Sequence, residues 1–318
     1  MTHYKALVAS RSFGPNCPDA VRRLISSGVE LVSNPWGRAP SEAELAGVIG
    51  DFDVLISGTE PVTARVLESA PRLKLIAKHG VGFDNIDLDA ARAHHVIVAI
   101  AGGAIADSVA DMAMALLLAC ARQIPQGDRA VRAGQWPRIV GVELRDKTLG
   151  VVGLGQIGRE VVRRAKGFGM HIVAYDVLRH ESFAQEYSVR YLSLDELLAE
   201  SDFVTLHAPV TDESRFLINA TTLARMKPTA YLINTARGEL VDERALAEAL
   251  RERRIAGAAC DVFSKEPPGD NELLKLDNFI AAPHSAGQTH DGLRKLGEVT
   301  VENILRVLDG HAPLYRVA

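Results

Sequence analysis

The stretch that most constrains the fold of this chain runs from Thr148 to Asp176 and reads TLGVVGLGQIGREVVRRAKGFGMHIVAYD. An apolar run from Leu149 to Val152 predicts a strand, and Ile157 to Phe168 continue as a helix. A second apolar run, His171 to Tyr175, predicts another strand. Glycines with the spacing GxGxxG join the first strand to the helix. In this setting they predict a βαβ unit that binds a dinucleotide, whereas the same spacing alone would be a weak signal.

The three glycines have separate roles in such a unit. Gly153 permits a tight turn, Gly155 lets backbone approach the pyrophosphate, and Gly158 lets the helix pack on the strand. The start of the helix, at Gln156 and Ile157, offers unpaired N–H groups to the phosphates. An ordinary βαβ turn is the alternative interpretation, and the acid that ends the second strand argues against it.

That acid is Asp176, about 20 residues after the glycines. Its carboxylate is expected to accept hydrogen bonds from the adenosine ribose hydroxyls and to repel a 2′-phosphate. No Arg or Lys follows until Arg179. The sequence therefore predicts NAD, and not NADP, as the cofactor.

The bulk properties limit the classes of protein that this chain can belong to. Its 318 residues suffice for two domains, and 47% hydrophobic with 24% charged residues is typical of a soluble α/β protein. The net charge of −4 gives no electrostatic reason to expect nucleic acid or an anionic membrane as a partner. The three cysteines lack CxxC spacing and are expected to be reduced, buried thiols of a cytoplasmic protein. The sequence predicts no secretory signal, no membrane span and no metal site.

Strand-like and helix-like segments alternate before and after the glycine-rich unit, which predicts parallel sheets with helices on their faces. Thr63 is expected to cap a helix that ends at Ala70. A long apolar helix from Asp107 to Cys120 is expected to lead into a second domain. The looser stretch from Arg122 to Val142 is expected to pack on a neighbouring surface or on another subunit. The last helix, Asp291 to Leu308, is expected to return to the N-terminal domain.

Three polar segments follow predicted strands in the second half of the chain, and each carries one candidate catalytic residue. They contain Arg237 in NTARG, Glu266 in DVFSKEP and His284 in PHSAG. Because ligands of an open α/β sheet collect at the carboxyl ends of its strands, these side chains are expected to meet there. A guanidinium can hold a carboxylate and polarise a keto oxygen, while an imidazole oriented by a carboxylate can transfer a proton. This combination suits the reduction of a 2-keto acid.

Each of these residues also has a simpler explanation when it is taken alone. Arg237 could cap a helix end, Glu266 could be a solvated turn residue, and His284 could be an ordinary loop histidine. Lys78 could reach an anionic group of the substrate, such as a phosphate, or it could be a surface lysine. The candidate catalytic set therefore depends on the three segments occurring together.

The motifs GLGQIG…YD, LHAPVT, INTARG, DVFSKEP and PHSAG, with GVGFDNID from Gly80 to Asp87, resemble the D-isomer-specific 2-hydroxyacid dehydrogenase family. They occur in the family's order and cover nearly the whole chain, as in its phosphoglycerate dehydrogenases and hydroxypyruvate reductases. The resemblance implies an α/β fold of two doubly wound parallel-sheet domains, with the cofactor in the cleft, and usually a homodimer. A Rossmann NAD-binding domain (101–287) would be inserted into a flavodoxin-like substrate-binding domain (1–100 plus 288–318).

The resemblance also assigns roles to individual residues. Arg237 would bind and polarise the substrate, His284 would be the acid or base, and Glu266 would be its partner. Lys78 is a candidate substrate contact, and the backbone amides of Val81 and Gly82 would hold the substrate carboxylate. Besides the glycine turn and Asp176, the expected cofactor contacts are His207, Ala208, Pro209, Thr235, Ala236, Asp261 and Gly287.

Three positions depart from the family pattern near the expected domain hinge. Gly102 stands where proline is common, Ile105 replaces a usual asparagine, and Asp111 replaces a glutamate. The regulatory C-terminal domain of some phosphoglycerate dehydrogenases is not expected here. Substrate choice is expected to depend on Ser57 to Thr59, on Lys78 and His79, and on Trp136 of a partner subunit.

Several functions are compatible with this resemblance. The leading prediction is hydride transfer between NAD and C2 of a D-2-hydroxy acid or 2-keto acid, for example 3-phosphoglycerate, glyoxylate or hydroxypyruvate. One alternative is an NAD-sensing, corepressor-like interaction protein, and another is a relative that oxidises phosphite or formate.

Overall fold

The computed structural model describes residues 4–318, which form two compact units. The first unit comprises Met1–Ile105 and Gln288–Ala318, and the second comprises Ala106–Gly287. Their strands are β1 Tyr4–Val8, β2 Val29–Val32, β3 Val54–Ser57, β4 Leu75–Lys78, β5 Ile97–Ile100, β6 Thr148–Val152, β7 His171–Tyr175, β8 Val189–Tyr191, β9 Phe203–Leu206, β10 Tyr231–Asn234, β11 Gly257–Cys260 and β12 Phe279–Ala281.

The α-helices lie between these strands and at the end of the chain. They are α1 Pro18–Ser26, α2 Glu42–Ala46, α3 Ala64–Glu68, α4 Leu88–Ala93, α5 Ala106–Arg122, α6 Ile124–Arg132, α7 Gln156–Gly167, α8 Glu181–Tyr187, α9 Leu194–Glu200, α10 Ala220–Leu223, α11 Glu243–Arg251 and α12 His290–Leu308. Short 3₁₀ turns occur at Ile49–Asp51, Gly238–Leu240 and Glu272–Lys275.

The first unit is built on a parallel sheet with the strand order β2-β1-β3-β4-β5. All four residues of β3 are buried, as expected for a strand covered by helices on both faces. Helix α12 packs on α1, where a Cβ on Gly297 would lie 2.3 Å from the Cβ of Cys17. The last helix therefore lies in the first unit, in agreement with the sequence-based expectation.

The second unit is built on a parallel sheet with the strand order β12-β11-β10-β9-β6-β7-β8. Strands β7 and β8 lie on one side of β6, and the later strands β9, β10, β11 and β12 follow one another on its other side. The carboxyl ends of β6 and β9 therefore lie at the point where the strand order reverses, which is where open α/β sheets bind ligands. The two sheets together confirm the predicted α/β class with two doubly wound domains.

Local predictions failed where tertiary contacts compete with sequence signals. Thr63 occupies the N-cap position of α3, but its hydroxyl donates to the Glu42 carboxylate instead of capping the helix, which ends at Glu68 and not at Ala70. The stretch predicted to be loose after Arg122 contains α6, which Pro125 helps to start because its fixed φ suits a first helical turn.

Among the described residues, no α-helix is both long and apolar enough to cross a bilayer. No group of three or more His, Cys, Asp or Glu side chains in residues 4–318 is arranged to hold a metal ion. Cys17, Cys120 and Cys260 are buried free thiols.

Candidate active site

The glycine turn between β6 and α7 has the close contacts that its spacing predicted. Gly153 has a φ of 91°, and a Cβ there would lie 2.7 Å from the backbone nitrogen of Ala208. A Cβ on Gly158 would lie 2.1 Å from the carbonyl oxygen of Gly153. A Cβ on Gly155, the N-cap of α7, would meet no atom within 4 Å, and no side chain caps the helix there. The turn therefore leaves both space and first-turn N–H groups, at Gln156 and Ile157, for a pyrophosphate.

Asp176 directly follows β7 and is bonded to the glycine turn. One carboxylate oxygen accepts a hydrogen bond from the backbone N–H of Leu154 at 2.6 Å, and the other accepts one from Leu178 at 2.9 Å. Each carboxylate oxygen has a further lone pair, so the group can still accept hydrogen bonds from ribose hydroxyls. The geometry thus fits a dinucleotide whose ribose carries no phosphate.

His207, Ala208 and Pro209 follow β9, and the first two lie against Gly153. His207 Nε2 is 2.9 Å from the hydroxyl of Thr205, and Nδ1 is buried with no partner in the described structure. Burial lowers the pKa of His207 to about 3, so the ring is neutral at physiological pH. This segment therefore offers an uncharged surface next to the glycine turn.

The loop that carries Arg237 is shaped by the side chain of Asn234. The Asn234 amide donates to the carbonyl of Arg237 at 2.8 Å and accepts from the N–H of Ala236 at 3.0 Å. The guanidinium of Arg237 donates to the carbonyl of Ala236 at 2.7 Å and is half-buried. Thr235 is buried, and its hydroxyl has no partner in residues 4–318. An unpaired buried hydroxyl is unusual in folded proteins, and this one is able to hydrogen-bond to a polar group of a cofactor.

Gly238 brings the Arg237 loop against the loop that follows β11. A Cβ on Gly238 would lie 2.0 Å from the carbonyl carbon of Phe263 and 2.1 Å from the nitrogen of Ser264. Any other residue would force the two backbones apart. No local sequence signal marks the role of this glycine, because that role depends on a contact between segments that are distant along the chain.

Glu266 and His284 form a direct pair across two loops. Nδ1 of His284 is 2.7 Å from one carboxylate oxygen of Glu266, and the other oxygen accepts from the N–H of Phe263 at 3.0 Å. Since an ionised carboxylate only accepts hydrogen bonds, Nδ1 carries the proton in this pair. Nε2 has no partner among residues 4–318 and the side chain is 52% exposed, so Nε2 is available to a substrate.

Asp261 holds the His284 loop in place. Its side chain is fully buried, and its two carboxylate oxygens accept from the N–H groups of Ser285 at 2.8 Å and Ala286 at 2.7 Å. Its carbonyl accepts from the N–H of His284 at 2.8 Å. His284 has a φ of 52°, a left-handed conformation that is uncommon outside glycine and occurs often at functional sites. Asp261 and Gly287 are predicted from the sequence to contact the cofactor, whereas the supporting role of the aspartate becomes visible only in the structure.

In the first unit, Val81 and Gly82 follow β4, and their N–H groups donate to no other described residue. Lys78, the last residue of β4, is only 6% exposed. It donates to the carbonyl of Gly58 and to the side-chain oxygen of Asn85. The interpretation of Lys78 as a surface lysine was therefore wrong.

The three departures from the family pattern have local explanations. Asp111 pairs with Arg164 at 2.6 Å on the neighbouring helix α7. Gly102 lies under the ring of Tyr315, where a Cβ would come within 2.5 Å of Cδ1. Ile105 packs on a small buried cluster with Ala101, Ala104, Leu293 and Leu296.

Comparisons with known proteins agree with this geometry. Residues 114–286 match the family described as D-isomer specific 2-hydroxyacid dehydrogenase, NAD binding domain. The chain is 44% identical to a glyoxylate reductase from Korarchaeum cryptofilum over 86% of this chain and 85% of that protein. It is 46% identical to a D-3-phosphoglycerate dehydrogenase from Methanocaldococcus jannaschii over 85% of this chain, but over only 52% of that longer protein.

A solved structure gives the same result. D-lactate dehydrogenase from Aquifex aeolicus, in complex with NAD and lactic acid, has a TM-score of 0.85 and 30% identity, covering 96% of both chains. The family model and the relatives therefore lead to the same interpretation as the two sheets, the glycine turn and the His284–Glu266 pair. The chain belongs to the D-isomer specific 2-hydroxyacid dehydrogenase family.

Proposed function

We propose that this protein is an NAD-dependent oxidoreductase that interconverts D-2-hydroxy acids and 2-keto acids. The observation that carries the proposal is the 2.7 Å hydrogen bond between His284 and Glu266, next to the Arg237 loop. His284 follows β12, Glu266 follows β11 and Arg237 follows β10, and these three strands are parallel neighbours in one sheet. The same sheet carries the glycine turn, so a proton-transfer pair and a dinucleotide site share one edge of one unit.

NAD would be held by the residues whose geometry suits it. The pyrophosphate would lie on the turn formed by Gly153, Gly155 and Gly158 and on the start of α7, and Asp176 would bind the ribose. The remaining contacts would come from His207, Ala208, Pro209, Thr235, Ala236, Asp261 and Gly287. When bound, NAD supplies a nicotinamide ring that accepts or donates hydride.

Arg237 would bind the substrate and polarise its reactive carbonyl. Its planar guanidinium presents parallel donors that match a carboxylate and an adjacent keto oxygen. The amides of Val81 and Gly82, which donate to no other residue in 4–318, would also bind the substrate carboxylate. Donors that face the developing alkoxide stabilise the transition state more than the ground state, and this difference accelerates the reaction.

His284 would move the proton at the C2 oxygen. During reduction, Nε2–H of the protonated ring donates to the carbonyl oxygen as it becomes a hydroxyl, and Nε2 takes that proton back during oxidation. Glu266 keeps Nδ1 protonated and stabilises the imidazolium. Asp261 holds the loop that gives His284 its left-handed backbone, and thereby orients the ring.

The proposal is tested by following NADH absorbance with glyoxylate, hydroxypyruvate and 3-phosphohydroxypyruvate, and with NADPH as the control cofactor. We expect His284→Gln and Arg237→Gln to lower kcat/KM by a factor of 10² to 10⁴, or roughly 3–5 kcal/mol of transition-state stabilisation. The affinity for NADH, measured by fluorescence, should stay within a few-fold of wild type. If both variants reduced a keto acid at nearly the wild-type rate, the assigned roles would be wrong.

We further propose that the protein is a homodimer in the cytoplasm, and that α6 and residues 133–142 form the interface. Trp136 is 88% exposed, Val140 84%, Ile124 56% and Val131 52%, and α6 has no buried residue. The segment is nevertheless held in place, since the N–H of Val142 donates to the carbonyl of Ala121 at 2.9 Å. So much apolar surface on one ordered segment is typical of a protein interface.

A second copy of the chain is the partner that we propose, because the same patch on both copies forms a self-complementary contact. Sedimentation of a Val131→Asp/Val140→Asp variant should give a monomer where wild type gives a dimer. Ile25→Asp, at a residue that is 54% exposed on α1, is the matched control and should leave the mass unchanged. A monomeric wild-type protein would contradict the proposed interface.

A further inference from the structure

The loop that carries Glu266 is held by hydrogen bonds more than by packing. It runs from Val262 to Asn271, between β11 and the 3₁₀ turn at Glu272–Lys275. Residues 264–267, 269 and 270 are exposed. An exposed segment with few buried contacts opens easily unless other bonds restrain it. The position of Glu266 therefore depends on the groups to which this loop is hydrogen-bonded.

One side chain binds both ends of this loop. Glu243 is the first residue of α11 and is half-buried. One of its carboxylate oxygens accepts from the backbone N–H of Ser264 at 2.6 Å, and the other accepts from the side-chain amide of Asn271 at 2.5 Å. Hydrogen bonds to an ionised carboxylate are short and roughly twice as strong as those between neutral groups. Glu243 therefore links the two ends of the loop to one helix.

The groups at both ends of this link are themselves fixed. Asp242 caps α11 by accepting from the N–H groups of Arg244 and Ala245, each at 3.1 Å. Five of the nine residues of α11 are buried. The side-chain oxygen of Asn271 accepts from the N–H of Leu273 at 3.0 Å and so caps the 3₁₀ turn. The carboxylate of Glu243 thus lies between two anchored elements.

A short series of bonds connects Glu243 to the proposed proton-transfer pair. Ser264 donates its N–H to Glu243, and the preceding residue, Phe263, donates its N–H to Glu266 at 3.0 Å. The other carboxylate oxygen of Glu266 is 2.7 Å from Nδ1 of His284. Two consecutive backbone N–H groups therefore bind two different glutamates. A shift of Ser264 would move the N–H group that orients Glu266.

Glu243 also has a simpler explanation. An acidic residue in the first turn of a helix often stabilises that helix, because the helix N-terminus carries a partial positive charge. Glu243 is in such a position, but its two oxygens accept from the loop, and neither accepts from an N–H group of α11 in the described structure. The hydrogen bonds therefore favour a role in the loop over a role in the helix.

We propose, as an extension that rests on the function proposed above, that Glu243 is a positioning residue of the reaction. It holds the loop so that Glu266 keeps its hydrogen bond to His284. Because Glu243 acts through Glu266 and not through substrate binding, its loss should lower kcat and leave KM nearly unchanged.

The first test measures kcat and KM with NADH and the keto acid that wild type reduces fastest. We expect Glu243→Ala to lower kcat about tenfold, because displacements of about 1 Å can cost 10²-fold in rate, and KM should stay within about threefold. Glu243→Asp keeps the charge but is shorter by one methylene group, so it cannot accept both hydrogen bonds and should lose a similar part of kcat. A raised KM with unchanged kcat, or wild-type kcat in Glu243→Asp, would overturn the inference.

A double-mutant cycle with Glu266→Gln separates positioning from general destabilisation. If Glu243 acts through Glu266, adding Glu243→Ala to Glu266→Gln should lower kcat by less than about threefold further. A merely structural role would lower kcat by the same factor in both backgrounds, and that result would contradict the proposal. If Glu243→Ala does not fold, Glu243→Asp takes its place in the same cycle.

Glu272→Ala is the matched control, because it removes a carboxylate that directly follows the same loop. Among the described residues, Glu272 pairs only with the side chains of Arg251 and Lys275. Since exposed ion pairs contribute little, kcat should stay within about twofold of wild type. An impaired Glu266→Gln beside a fully active Glu243→Ala would overturn this inference and leave the proposed reaction intact. If wild type bound NADH but reduced no keto acid, the proposed function would fail, and this inference with it.

Discussion

Replacing Gly238 by alanine tests whether the contact between the Arg237 and Glu266 loops positions the proposed catalytic groups. A Cβ at this position would lie 2.0 Å from the carbonyl carbon of Phe263 and 2.1 Å from the nitrogen of Ser264. Both are backbone atoms, so no side-chain rotation can relieve the overlap. Normal carbon–carbon contact is about 3.5 Å or more, and the loops must therefore separate by roughly 1.5 Å. Displacements of about 1 Å can cost 10²-fold in rate, so we expect kcat/KM to fall about 100-fold or more.

The assay is steady-state NADH oxidation with the best keto acid, together with NADH affinity and thermal unfolding. Gly238→Ala should lower kcat much more than it weakens NADH binding, because Gly238 is outside the glycine turn. Gly167→Ala is the matched control, since a Cβ there meets no atom within 4 Å and the residue ends α7. It should keep wild-type activity. If folded Gly238→Ala kept kcat/KM within threefold of wild type, the positioning argument would be wrong.

Three further predictions concern the cofactor and stability. Asp176→Ala removes the carboxylate proposed to repel a 2′-phosphate, so the ratio of kcat/KM for NADH to that for NADPH should fall at least about tenfold. Gly297→Ala places a Cβ 2.3 Å from that of Cys17 and should lower the free energy of unfolding in urea by about 1–2 kcal/mol. His79 has a pKa of about 4 in the folded protein, so the unfolded chain binds its proton first as the pH falls. The contribution of the neutral ring to stability is present above about pH 6.5 and is lost as the pH falls from 6.5 to 4. Over this pH range the free energy of unfolding of His79→Gln should therefore fall by roughly 3 kcal/mol less than that of wild type.

Each of these predictions has a result that would contradict it. An unchanged NADH preference in Asp176→Ala would mean that another group excludes NADPH. Wild-type urea stability in Gly297→Ala would show that α1 and α12 can separate at little cost. Parallel pH–stability curves for wild type and His79→Gln would show that the ring is not forced to stay neutral.

Much of the nucleotide-binding unit could be read from local sequence because the constraints on it are local. The strands at Val152 and Tyr175, the turn between them and the position of Asp176 all follow from neighbouring residues. The Ser193–Glu196 capping box is also local, and both of its hydrogen bonds are present. Thr63 is an example of a local prediction that failed. Its residue type favours helix capping, but its hydroxyl donates to Glu42, which is too distant along the chain for a local sequence pattern to predict this contact.

The candidate site shows the same division. Sequence patterns singled out Arg237, Glu266 and His284, but not the groups that hold them. Asp261 supports His284, and Gly238 permits two loops to touch, through contacts between segments more than 20 residues apart. The amphipathic and apolar patterns place residues in strands and helices but do not specify which loop meets which.

The sequence by itself therefore determined the βαβ unit, the α/β class and the chemical types of the reacting groups. Each of these depends on glycine spacing, hydrophobic periodicity or side-chain chemistry, and all three can be read from short segments of the chain. Only the tertiary structure decided the support of the His284 loop by Asp261, the burial of Lys78 beside Gly58 and the exposed apolar surface of α6. Strand order and loop-to-loop contact set those features, and both arise from packing between residues that are distant along the chain.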